Sequence, residues 1–313
     1  MKLSTILWLA CGCAATLAHA ECPLDVQATP TRADWHAGEP IEVNVRIANR
    51  ADRPAALALA YPSLGGQGHP GIGFSLRPNA PLTASTNAIE SVLQIAPRAA
   101  LDVHVYANKY LPALPPGASR VYWQLEIACL DGKGAFLAPG KFAGAFTVRI
   151  AAGALPDAPA VVARYAQRLD ASDPQQRREA IEALSNMPDP AVLPALGKVY
   201  QYGYRNDALQ ALRKFDGHPA AASMLVEILA TADAGAARNA LRIATGWKTP
   251  LPPELLEQVA GGTSLPARLA LVDYLAARRS AANDALLQRL AADDDETLAK
   301  SARAALAKPA PTR

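Results

Sequence analysis

The chain has 313 residues, with 31 basic and 28 acidic side chains and a formal net charge of +3. That length suits two domains of ordinary size with full cores. The charge balance has no block of one sign, which argues against nucleic acid or an anionic membrane surface as a partner.

Lys2 is followed by an apolar stretch from Ile6 to Leu17 and by the small-x-small triplet Ala18-His19-Ala20. This reads as a secretory leader over residues 1–20, giving a mature chain from Glu21 and a periplasmic or secreted location. The leader is too short for a retained membrane anchor, and no later segment is apolar for long enough to span a bilayer. Beyond it stand two cysteines, Cys22 and Cys129. In an oxidising compartment such a pair forms one disulfide most simply. Closing a loop of roughly 100 residues contributes about 4–5 kcal/mol in the chain-entropy description. Two free thiols are the alternative if the leader reading fails. Two cysteines this far apart do not make a zinc or redox site.

From Ile41 to Ile47, in Ile41-Glu42-Val43-Asn44-Val45-Arg46-Ile47, every second residue is apolar, the period of a half-buried strand. Leu101, Val103 and Val105 repeat the pattern, as do Val121, Trp123, Leu125, Ile127 and Cys129, and finally Phe146, Val148 and Ile150. Turn clusters such as Asn49–Pro54 and Pro115-Pro116-Gly117 separate them. Several short strands with regular turns predict a β-sandwich. Pro62–Pro97 is the irregular part, and it carries a formal GxGxxG match at Gly66, Gly68 and Gly71. Pro70 and Gly73 disfavour the helix a dinucleotide site needs there, so Gly65–Gly73 reads as a surface loop. The turn Gly38-Glu39-Pro40-Ile41 into an alternating strand, and Pro139-Gly140 before the last one, resemble bacterial immunoglobulin-like domains over residues 21–151.

A linker is expected over 152–158, and from 159 to 308 the period changes. Ala180, Ala208, Ala240, Ala270 and Ala302 recur about every thirty residues, each followed by larger apolar residues at helical spacing. Such a repeat predicts about five stacked helix pairs, an α-solenoid, with a disordered tail over 309–313. Two places before each alanine stand Arg178, Asn206, Arg238, Arg268 and Lys300, and five before three of these stand Asp173, Asp233 and Asp295. An aspartate there suits a helix N-cap. These Asp…Arg…Ala…Leu units resemble HEAT repeats, particularly the HEAT-like class associated with phycobilisome lyases. Gln201, Thr263 and Asn206 depart from the pattern. The resemblance implies an Asp–Arg ladder joining neighbouring repeats, which is favoured over a basic groove because acids accompany the bases.

No nucleophile elbow, phosphate loop or HExxH motif occurs, and the histidines lack helical metal-ligand spacing. The expectation is therefore a non-catalytic protein without cofactor or metal. Asp293-Asp294-Asp295-Glu296 lacks calcium-loop spacing and reads as a loop entering a helix. Tyr200, Tyr202 and Tyr204 flank Gly203 at an inter-helix turn, either as interface residues or as plugs between irregular repeats; Trp247 has the same ambiguity. The leading expectation is an interaction scaffold or adaptor that binds a protein or peptide through the solenoid, with contacts at Tyr202, Tyr204, Arg238, Arg242 and Arg268. The alternatives are a carbohydrate or cell-wall glycan module using Tyr106, Tyr110 and Tyr122, and an inhibitor of an exported enzyme probing with the Gly65–Gly73 loop.

Overall fold

Alternation of apolar side chains builds the first half of the protein. The computed structural model describes residues 22–60, 72–78, 89–130, 137 and 140–308. The leader, the glycine match at Gly66, Gly68 and Gly71, and the tail 309–313 lie outside those residues. Nine strands are described: β1 (Leu24–Pro30), β2 (Asp34–Ala37), β3 (Glu42–Asn49), β4 (Ala55–Ala60), β5 (Ile72–Ser75), β6 (Ile89–Ile95), β7 (Ala100–Tyr106), β8 (Gly117–Leu130) and β9 (Gly140–Ala154).

β1, β3 and β7 form an antiparallel three-stranded sheet with β3 in the middle. The second sheet runs β2-β9-β8-β4-β6, with β5 also on β8 and β2 parallel to β9. Val43, Val45 and Ile47 of β3 and Val121, Trp123, Leu125, Ile127 and Cys129 of β8 are all buried and belong to one core. Gly144 lies opposite Trp123 in the register, and a Cβ there would come within 2.7 Å of the indole nitrogen. Glycine leaves the space against the neighbouring strand that the indole occupies. Cys22 is bonded to Cys129 across a sequence separation of 107, fastening the chain just before β1 to β8.

Two sequence boundaries shift. Pro62–Pro97, expected to be irregular, contains β5 and β6. β6 pairs along β4 in antiparallel register, so a neighbour supplies the order that the segment's own composition does not declare. β9 continues to Ala154, so the connection placed at 152–158 begins inside a strand, and only Leu155–Asp157 precede the first helix.

The second half contains ten α-helices among the described residues. They are α1 (Ala158–Arg168), α2 (Pro174–Asn186), α3 (Leu193–Gln201), α4 (Arg205–Leu212), α5 (Pro219–Thr231), α6 (Ala234–Gly246), α7 (Pro253–Ala260), α8 (Leu265–Ala277), α9 (Ala281–Ala291) and α10 (Glu296–Ala307). The recurrent alanines sit on α2, α4, α6, α8 and α10 and are buried in every case. Those helices touch in sequence, α2 on α4, α4 on α6, α6 on α8 and α8 on α10. The small side chain permits the close approach, while Ile181, Leu209, Leu241 and Leu271 beside it supply the buried stripe.

The capping expectation holds in detail. Asp173, Asp233 and Asp295 accept from the backbone N–H groups of Gln175, Ala236 and Leu298, at 2.9, 2.8 and 2.9 Å. Where the motif fails at Gln201, the N-cap position of α4 is Tyr204, which makes no side-chain cap; at Thr263 the adjacent Ser264 serves α8 instead.

Removing the disulfide by Cys22→Ser with Cys129→Ala is expected to lower unfolding free energy by at most about 4–5 kcal/mol, visible as a lower urea midpoint. Ala240→Leu puts extra methylenes where α6 meets α4 and α8, and is expected to cost about 1–3 kcal/mol in the same titration.

Candidate functional site

Strand alternation sends Glu42, His104 and Tyr106 to the side of the β3–β7 pair away from the β core. There they face the first helices: Tyr106 is shut off from water, while His104 and Glu42 stay partly exposed. Tyr106, the last residue of β7, is fully buried in the helical core, with its ring edge-on to Tyr165 of α1 at 5.9 Å. Burial raises the Tyr106 phenol far above its usual pKa. Tyr106 therefore cannot serve as an outward-facing glycan platform, which corrects the expectation above. Its neighbour His104 places Nδ1 3.6 Å from Glu179 of α2 and 3.9 Å from Glu42. Glu179 is itself buried and accepts from Arg168 and from Gln175 Nε2, the latter at 3.0 Å.

Beside this contact lies a cleft of about 310 Å³ walled by both halves. The β half supplies the turn from His36 to Ile41 and the stretch from Asn108 to Leu114; the helical half supplies Asn186, Pro188 and Lys214. Gly38 adopts φ +80, and a Cβ on it would approach Pro188 to 3.1 Å, so the turn depends on glycine for both conformation and clearance. Glu39, buried in that turn, accepts from the backbone of His36 at 3.1 Å and from Arg32, with Arg164 of α1 at 3.9 Å. Asn108 staples the opposite wall: it accepts from the Ile41 N–H and donates to the Glu39 carbonyl at 3.0 Å.

Two ammonium groups line the cleft. Burial alone would lower Lys109, but Glu182 at 3.3 Å and Tyr110 together outweigh it and hold the group above its usual value. Lys214 donates to the Ser185 carbonyl at 2.7 Å near the C-terminal end of α2, and burial pushes it down to about 8.

The contact with the β half also organises the second helices. On α2 it uses Glu179 and Glu182, one residue before and two after Ala180. The same offsets from Ala240 on α6 fall at Asn239 and Arg242, with Arg238 at the place of Arg178. Arg238 and Arg242 are exposed; Arg242 donates to Asn239 at 2.9 Å, and neither has a carboxylate partner among the described residues. Arg268, at the Arg238 position of α8, is instead mostly buried in an ion pair with Asp293. Arg205 bridges to Asp233, the cap of α6, at 2.8 Å, and Arg289 of α9 pairs with Glu257 of α7. An acid–base ladder between pairs thus exists at some steps, and partly through arginines outside the column read from the sequence.

Of the tyrosines, Tyr202 is 45% exposed, with its hydroxyl on Asp170 and the Arg177 guanidinium 5.9 Å from its ring. Tyr204 is half-buried against the helical core, and Tyr200 is buried. Trp247 is also buried. Among the described residues no hydrogen bond, ion pair or ring contact joins Tyr202, Tyr204, Arg238, Arg242 and Arg268 to one another, although Arg238 and Arg242 lie one turn apart on α6. Tyr110 is half-buried with its ring 5.8 Å from Phe74, and Tyr122 is half-exposed beneath Arg120. Asp293 and Asp295, in the acidic run, are used by Arg268 and by the α10 cap. Among the described residues no group of three His, Cys, Asp or Glu is placed to hold a metal ion, and no helix is long and apolar enough to cross a membrane.

The sequence reading missed the cleft, which is assembled from turns far apart in the chain. The one signal available was Gly38-Glu39, a glycine turn followed by an acid that ends up buried. Lys214 is expected to titrate near pH 8, well below the usual lysine value. NMR of lysine side chains, assigned with Lys214→Met, checks this.

The profile of the HEAT-repeat family matches residues 162–246. Among curated proteins, none matches the chain. Among solved structures, the native conformation of E. coli alpha-2-macroglobulin aligns at 13% identity and a TM-score of 0.26, covering 93% of this chain and 25% of that one. A mutant Salmonella alpha-2-macroglobulin aligns at 13% identity and a TM-score of 0.25, covering 90% and 26%. The chain thus spans about a quarter of the length of those proteins. The helical half of the chain is HEAT-like over the matched residues, from α1 to α6.

Proposed function

We propose that this chain is an exported, non-catalytic interaction protein that holds an acidic protein or peptide segment against the uncovered face of its second helices. The finer fold reading goes with it: an immunoglobulin-like sandwich docked on one end of a HEAT-like solenoid. One observation carries the proposal. The helix positions that meet the β half on α2, Glu179 and Glu182, recur on α6 as Asn239 and Arg242, beside Arg238; both arginines are exposed, with no carboxylate opposite them among the described residues. A surface continuous with an internal interface, and carrying two unpaired guanidinium groups four residues apart, suits carboxylates. Tyr202 and Tyr204 lie one pair nearer the β half, while Arg268 is engaged by Asp293 and serves the stack itself. Export is supported by the leader-like start and by a disulfide, which persists in oxidising compartments. The glycan alternative loses Tyr106 to the core, and the loop of the inhibitor alternative lies mostly outside the described residues.

A photo-cross-linking residue in place of Asn239, in the purified protein, is expected to trap a specific envelope protein. Adding Arg238→Glu and Arg242→Glu should weaken that capture by about tenfold or more, with a salt dependence to match. Equal trapping by a cross-linker on β9, or capture indifferent to the charge reversal, would move the interface off α6.

A further inference from the structure

The cleft between the halves has a chemistry of its own, independent of the helix-face reading. Its one lining carboxylate, Glu39, is already engaged by Arg32, Arg164 and the His36 backbone. Lys109 is matched by Glu182. Lys214 is different: it makes a single bond, to the Ser185 carbonyl, and no carboxylate reaches it among the described residues. An ammonium has three donors, so two remain for something in the cleft. The residue is exposed along one side, so a ligand can reach the ammonium, and the partial burial of its other side lowers its pKa with no anion nearby to offset it. Close by, His36 lines the same cleft and its Nδ1 is buried without a partner. Facing these polar groups, Ile41, Leu111, Pro112, Leu114 and Ile150 make an apolar wall. The volume is near the lower end for small-molecule sites.

We propose that this cleft binds a small monocarboxylate with an apolar body, its carboxylate on Lys214 and its body against Leu111, Pro112 and Leu114. A single ammonium without an arginine fork suits a monoanion better than a phosphate ester. Lys214 and Pro188 come from the helical half and the apolar wall from the β half, so the ligand touches both and ties them together. As a cap on the C-terminal carbonyls of α2, Lys214 accounts for its one bond, and that role coexists with ligand binding.

The test uses the whole protein with N-acetyl-leucine and hexanoate as probes and N-acetyl-leucinamide as the uncharged control, followed by amide NMR. Both carboxylates should shift the amides of Asn108, Leu111, Leu114 and Asn186, and the leucinamide should not. Lys214→Met should weaken binding about tenfold or more, while Lys214→Arg keeps most of it. A measurement on the unaltered protein guards against a folding defect in the variants. The Lys214 midpoint should rise when N-acetyl-leucine is present, with Lys109, Glu182, Glu39 and His36 as the other titrating groups around the cleft. Shifts equal for acid and amide, no shift with either carboxylate, or an unmoved Lys214 midpoint would each overturn the proposal.

Discussion

The burial of Tyr106 in the helical core is the contact on which the relation between the two halves depends. A strand has two faces, and β7 uses both: Val103 and Val105 pack into the β core while Tyr106 packs on Tyr165. The ring is large and its environment apolar, so withdrawing it would expose apolar area on both partners at once. With β7 seated in this way, the short turn after it brings Lys109 to Glu182, and the β2–β3 turn comes against Pro188. The cleft and the uncovered stretch of second helices both follow from where that strand ends.

Around this apolar anchor the junction is polar, with buried acids satisfied from both sides. Glu39 belongs to the β half and has Arg164 of α1 near it; Glu179 belongs to α2 and has His104 of β7 near it. Buried carboxylates are costly to leave unpaired, so each sets a condition that only one arrangement of the halves meets. The apolar contact supplies adhesion and the charged ones supply register. Interfaces between domains of one chain are commonly more polar than cores, and this one divides the two tasks among named residues.

Much of the architecture was legible because its causes are local. Period-two alternation located β3, β7, β8 and β9, and the alanine recurrence located the second helix of every pair, down to the aspartates that cap three of them. The Cys22–Cys129 bond followed from counting. What escaped depends on partners. β5 and β6 lie in a segment whose composition speaks for loop, and pairing to β8 and β4 makes them strands. The outward phase of Tyr106 was readable, but alternation looks the same whether the far side meets water or another layer. Arg268 and Arg238 occupy equivalent repeat positions and differ only because Asp293 follows one of them. The cleft had no sequence signature, since its walls come together only after both halves have folded and docked.

The Cys22–Cys129 bond also has a mechanical meaning. Tension applied from the N-terminal side would ordinarily peel β1 from β3 one residue pair at a time, the weakest way to load a sheet. The disulfide intercepts that force before it reaches β1 and delivers it to β8, which pairs with β4, β5 and β9. A pull from that end is therefore borne by several strands in parallel, and the unzipping route is closed as long as the bond remains oxidised.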